Sequence, residues 1–310
     1  MFENIRKRGN MKLKLYILLI IAFMASCQSN DKNKSKNANG DPSDGTTEHV
    51  LTNTEKLQDY ILALDSTDIQ SVSKATDKFK DLFEKKDTLE NDKGVAAMID
   101  YMEKVAVYAN STTFEYGKNY SALSNIEFQG GGKSVPSELS DEYDLIHENG
   151  FRVRQTEGMY DLELNPLYLQ EKFYPYISGN FEIYLQKLGK ENMEGFAEDA
   201  AIAIPYQSLV QRVIWWEEFA ESNKNSIVGE RARIQYQRYF EVLTIGMDNT
   251  PAIESEQIAA YFLDAYTYLK EFAINSNTYK RLQPYISLLE QEKIEEAKLL
   301  VPDLLAKDKI

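Results

Sequence analysis

The chain has 310 residues, with 49 acidic against 35 basic side chains and a formal net charge of −14 at pH 7. Such a surplus of negative charge repels phosphate backbones and anionic head groups, which argues against nucleic acid as a partner and leaves basic or uncharged ones. One cysteine excludes a disulfide framework, and two histidines leave little material for zinc or Ser–His nucleophile chemistry.

Arg6, Lys7, Arg8, Lys12 and Lys14 precede an apolar run from Leu15 to Ser26 that closes on the small residues Ala25 and Ser26. A membrane-crossing helix needs about 20 apolar residues. This run is shorter, and the order of charged, apolar and small residues is that of a signal peptide, with Met1 or Met11 as its start. "MASC", residues 24–27, resembles the lipobox of bacterial lipoproteins, with Met24 where leucine is usual. The resemblance implies that Cys27 is lipidated, that residues 1–26 are removed, and that the new amine is acylated. Burial of acyl methylenes is worth about 0.8 kcal/mol each, and one chain anchors only marginally, so two or more hold a protein at a bilayer. Residues 1–26 carry a net +4, so the remainder carries −18 against the −14 of the whole. The expected location is the envelope of a bacterium, anchored in the outer or inner membrane, with the body in the periplasm or at the cell surface.

Residues 27–50 are Asn, Lys, Asp, Ser and Gly with almost nothing apolar, a composition that cannot order itself and reads as a disordered tether. Apolar spacing then predicts helix nearly throughout. Ile69, Val72, Ala75, Phe79 and Leu82 step by three or four, as do Val95, Met98, Met102, Val105 and Ala109. Residues 110–136 interrupt the pattern, and "GGGKSVP" at 130–136 marks the expected junction between an N-terminal helical segment, 51–130, and a C-terminal helical domain, 137–310. A short helix near 137–148 follows. Phe151, Val153 and Gln155 then alternate with Arg152, Arg154 and Thr156, and Tyr160, Leu162 and Leu164 alternate with Met159, Asp161 and Glu163, around "TEG". This predicts a β-hairpin over 151–164 that must lie against helices to be stable.

Further on, Leu209, Val213, Trp216 and Ala220 form one stripe and Phe262, Tyr266, Leu269 and Ala273 another. "WWEEFAESNKNS" (215–226) and "TYLKEFAINSNT" (267–278) repeat an aromatic or Leu, then Glu-Phe-Ala, then a polar turn, and each precedes another helical stretch. This resembles tetratricopeptide-type helix pairing, with Ala232 as the small residue that admits the second helix. It departs from that family in lacking Tyr-Pro in the turn and in its spacing, since Phe219 and Phe272 are 53 positions apart where the family unit is about 34. "NGFRVRQTEG", "NPLYLQEKFYPYIS" and "IGMDNTP" are also similar to pieces of uncharacterised helical lipoproteins of bacteria, a resemblance that implies location and fold only. The expected fold is therefore mainly α, built of antiparallel helix pairs as a tetratricopeptide-like α-solenoid or an irregular bundle, with one small hairpin.

Tests for chemistry are largely negative. A phosphate-cradling loop at "EFQGGGKS" needs glycine at position 127, which holds Glu127. A calcium loop at "DKNKSKNANGDP" fails at its sixth and twelfth places, Lys36 and Pro42. His147, in "DEYDLIHENG", reads as a helix-terminal histidine that favours the macrodipole. Neither a metal nor a cofactor is expected. Asp161 and Glu163 share a strand face and could converge, which keeps open a hydrolase acting on cell-wall or polysaccharide material through Asp and Glu. More telling are 20 Tyr and two Trp, amphipathic side chains that anchor interfaces. The expected function is a non-catalytic envelope protein whose helical domain binds a protein or glycan. Its candidate surface is Trp215, Trp216, Tyr174, Tyr176, Glu157 and Asp161. Neighbours on a helix point about 100° apart, so only one of Trp215 and Trp216 can face water.

Overall fold

The computed structural model describes residues 50–306 apart from 87, 113–118, 129–134 and 157–158. Cys27, the segments before and after it, and Glu157 lie outside the described residues.

Helix starts follow their caps. Thr52 and Glu55 form a reciprocal capping box at the head of α1 (Asn53–Leu62). Serine side chains accept from the third helical N–H at Ser178, Ser226 and Ser276, opening α7 (Gly179–Glu194), α9 (Ile227–Ile245) and α11 (Asn277–Glu290). The expected stripes face inward. Val72, Ala75 and Phe79 of α2 (Ser71–Leu82) and Val95, Met98, Met102 and Val105 of α3 (Leu89–Thr112) are buried. The fold is mainly α, as expected. One stretch differs. The interruption expected over 110–136 contains a helix, α4 (Tyr120–Phe128), whose buried face of Tyr120, Leu123 and Ser124 is too short to show a period.

After α5 (Ser140–Glu148), β1 (Phe151–Thr156) and β2 (Met159–Leu164) pair antiparallel in the register Phe151↔Leu164 to Thr156↔Met159. Phe151, Val153 and Leu162 are buried, and α3, α4 and α5 pack against the hairpin. Asn110 of α3 extends the sheet edge. Its amide nitrogen donates to the Leu162 carbonyl at 3.0 Å, and its oxygen accepts from the Leu162 N–H at 2.8 Å.

The junction expected at 130–136 does not separate two bodies, because Val50–Ile310 is one compact unit. Residues on either side of it share a core. Phe79 stacks on Phe83 and meets Phe173 and Tyr176 edge-on at 5.3 and 5.1 Å. Buried Asp92 accepts from the Ser178 N–H at 2.8 Å.

In the C-terminal half, α8 (Tyr206–Ser222) pairs with α9, and α10 (Ala260–Ala273) with α11. The "SNKN" turn is tight. A Cβ on Gly229 would sit 2.0 Å from the Asn223 carbonyl oxygen, so only glycine lets the start of α9 approach its own turn. Ala232 is fully buried, the small residue expected at the helix contact. Glu217 joins the two pairs, accepting from the Asn277 and Thr278 N–H groups at 2.7 and 2.8 Å and so capping α11 from α8. Three two-residue strand pairs, 197–202, 246–251 and 253–258, link these helices, and α12 (Ile294–Leu305) closes against α11.

Candidate functional site

Asn165 caps α6 (Pro166–Phe173), which runs into a 3₁₀ turn at Tyr174–Tyr176 and then meets α7. The space between α6 and α7 is a groove of about 470 Å³ floored by Pro166, Tyr174, Leu185 and Gly189, with Lys190 and Glu194 at its polar edge. Gly189 deepens it. Beyond its own helix, a Cβ there would meet only Pro166, at 3.8 Å. Leu167 and Met193 stand on its rim, 72% and 71% exposed, a costly position for large apolar side chains unless something covers them. Burial, with a smaller contribution from Glu182, raises the Tyr174 phenol above its ordinary range, so this ring is partly withdrawn from water.

Beyond α7 lies an aromatic strip. Trp215 stacks on Phe219 at 4.8 Å and 11°, and Tyr268 stacks on Phe272 at 5.3 Å and 10°. The two pairs occupy equivalent positions of the internal repeat, and Phe272 is 50% exposed. Lys187 of α7 stands over the Trp215 ring at 5.0 Å. Gln211, one turn before Trp215 on α8, donates to the Tyr268 hydroxyl at 2.9 Å, which ties the pairs into one face. Tyr206 meets Tyr261 and Tyr268 edge-on at 6.3 and 6.2 Å.

Under Trp215 sits a buried charge centre. The Trp216 indole N–H donates to Glu191 Oε2 at 2.9 Å, and the Tyr239 hydroxyl donates to the same oxygen at 3.0 Å. Lys187 pairs with Glu191 Oε1 at 3.0 Å. Arg212 donates to Tyr239, Glu194 and the Gly195 carbonyl at 3.2, 3.0 and 3.1 Å. Burial first, then the Glu191 charge, pushes the Tyr239 phenol up to about 12 against the pull of Arg212. The network locks α7, α8 and α9 together and holds rigid the helix that presents Trp215.

The expected surface residues therefore fall in different places. Trp215 is part-exposed on the strip and Tyr174 lines the groove. Trp216 and Tyr176 are not surface residues. Trp216 is fully buried and bonded to Glu191, and Tyr176 is packed on Phe79, because both point from their helices into the core. Asp161 does share a face with Glu163, but so do Arg152 and Arg154. Both arginines engage Glu163, with Arg152 Nε donating at 2.7 Å and Arg154 pairing at 3.2 Å. Burial raises the Asp161 pKa, with Arg154 opposing it and Glu163 adding to it. The arrangement is a cross-strand ladder of charges. Phe219, Tyr268 and Phe272 escaped the sequence reading as surface residues, although the repeat that contains them was visible.

Among the described residues, no group of three or more His, Cys, Asp or Glu is placed to hold a metal ion, and no helix is long and apolar enough to cross a membrane. The chain matches no protein-family model, no curated protein and no solved structure.

Proposed function

We propose that this is a lipid-anchored protein of a bacterial cell envelope whose helical body binds a protein or glycan partner without catalysis, and that the partner seats on the α6–α7 groove and the neighbouring aromatic strip. The observation that carries the reading is the groove itself, a concave apolar surface with Tyr174 in its floor and large apolar side chains standing in water on its rim. Support also comes from the strip, whose ring faces are fixed by stacking and lose little freedom when covered.

The test compares the intact, anchored protein with Gly189→Phe and Trp215→Ala in capture of partners from native envelopes. Gly189→Phe adds a ring to the groove lining, at a position where the first added carbon meets only Pro166 beyond its own helix, at 3.8 Å. The wild type should retain a partner that Gly189→Phe loses, with unchanged helical circular dichroism, and Trp215→Ala should weaken capture. Equal recovery by all three proteins would remove the surface from consideration.

A further inference from the structure

His147 lies near the end of α5 with both ring nitrogens turned to acceptors. Nδ1 is 2.9 Å from the Tyr143 carbonyl oxygen, and Nε2 is 2.6 Å from Glu127 Oε1 on α4. A carbonyl oxygen can only accept, so Nδ1 carries a proton, and 2.6 Å from an ionised Glu127 the second nitrogen is favoured in its protonated form, which makes the ring an imidazolium. The side chains of His147 and Glu127 are only 21% and 18% exposed, and the ring is stacked on Tyr143 at 3.7 Å. Glu127 Oε1 is fully buried and accepts no aligned hydrogen bond from any described group, so its contact with His147 is held by charge. Neutral histidine leaves that oxygen's charge uncompensated in a buried place.

The surroundings give no substitute cation among the described residues. On α5 the neighbouring charges are Asp141, Glu142, Asp144 and Glu148, all acidic, and Glu142 already accepts from Asn119 at 2.8 Å. On β1, against which both helices pack, the cations are Arg152 and Arg154, and both are committed to Glu163, while β2, which also meets α4, carries only the acidic Asp161 and Glu163. We propose that His147 and Glu127 form a proton-operated latch that clamps the end of α4 onto α5 and lets it go when the imidazole loses its proton. The Asn119–Glu142 contact at the other end of α4 carries no titrating histidine, so release is confined to the last turn of α4.

Burial by itself would lower the His147 pKa. The Glu127 contact, the Tyr143 carbonyl and the Asp144 charge together outweigh it and hold the pKa above the ordinary 6.5. While Glu127 is ionised, the latch contributes fully below pH 6.5, and its contribution is lost as pH rises through the folded His147 value.

The experiment is a proton NMR titration of the two histidine rings in the full-length chain, with amide exchange of α4 followed over the same pH range. The His147 midpoint should lie above the ordinary 6.5. The amides of Ile126 and Glu127 should lose protection, after correction for intrinsic exchange rates, as His147 deprotonates. In Glu127→Gln the His147 midpoint should fall and that protection should be weak at every pH. The proposal is overturned by a His147 midpoint at or below 6.5, by a midpoint unmoved in Glu127→Gln, or by α4 protection that stays constant in the wild type while His147 titrates. The wild-type readouts decide the matter even if the variant does not fold.

Discussion

Glu191 is 3% exposed, its Oε2 is shared by the Trp216 indole and the Tyr239 phenol, and Lys187 and Arg212 supply the opposing charge. Removing one partner of a buried charge network costs more than the pair contributes, because the other charge is left in a poor dielectric. Glu191→Ala should lower stability by about 3 kcal/mol, near the low end for such a loss, because Glu194 still holds Arg212. Trp216→Phe keeps most of the volume and removes one donor, and should cost about 1–3 kcal/mol. Urea unfolding at pH 7 reads both, and a change below about 1 kcal/mol for Glu191→Ala would contradict this account. None of it was legible beforehand. "GKENMEG" shows two glutamates in a mostly polar stretch, and only the packing of α7 against α8 and α9 turns Glu191 inward.

At the scale of elements, Glu217 is a helix cap supplied from another helix. Its two oxygens take the first N–H groups of α11 and the Thr278 hydroxyl. Glu217→Ala should cost about 1–2 kcal/mol by losing both the cap and a favourable charge at the positive end of the dipole, measured as a fall in thermal midpoint. The turn between residues 254 and 257 holds Ser255 and Glu256 at φ of 50° and 61°, the left-handed pair of a type I′ hairpin for which Asn-Gly is preferred. Ser255→Asn combined with Glu256→Gly should raise stability by about 1 kcal/mol. A neutral or negative result would mean that the turn's conformation is set by side-chain contacts of Ser255 or Glu256. The long helices and the 151–164 hairpin were readable because their apolar residues recur over several periods. The two-residue strands and α4 were not, because a segment of one period has nothing to repeat.

For the whole molecule, Cys27→Ser should move the protein from the membrane to the soluble fraction while leaving its helical circular dichroism unchanged, and persistent membrane attachment would refute the lipid anchor. The sequence by itself determined the helical class, the presence of a hairpin over 151–164, the pairing of α8 with α9 and of α10 with α11, and the acidic charge. Each is a local or additive property, carried by spacing, turn chemistry or a sum over side chains. Tertiary structure alone decided that "GGGKSVP" joins parts of one body, since Phe79 with Tyr176, Asp92 with Ser178 and Asn110 with Leu162 meet across it. It also decided which tyrosines and tryptophans face water, and it brought Glu127 against His147. Those outcomes depend on contacts between residues far apart in the chain, and no periodicity records which distant surface a side chain will meet.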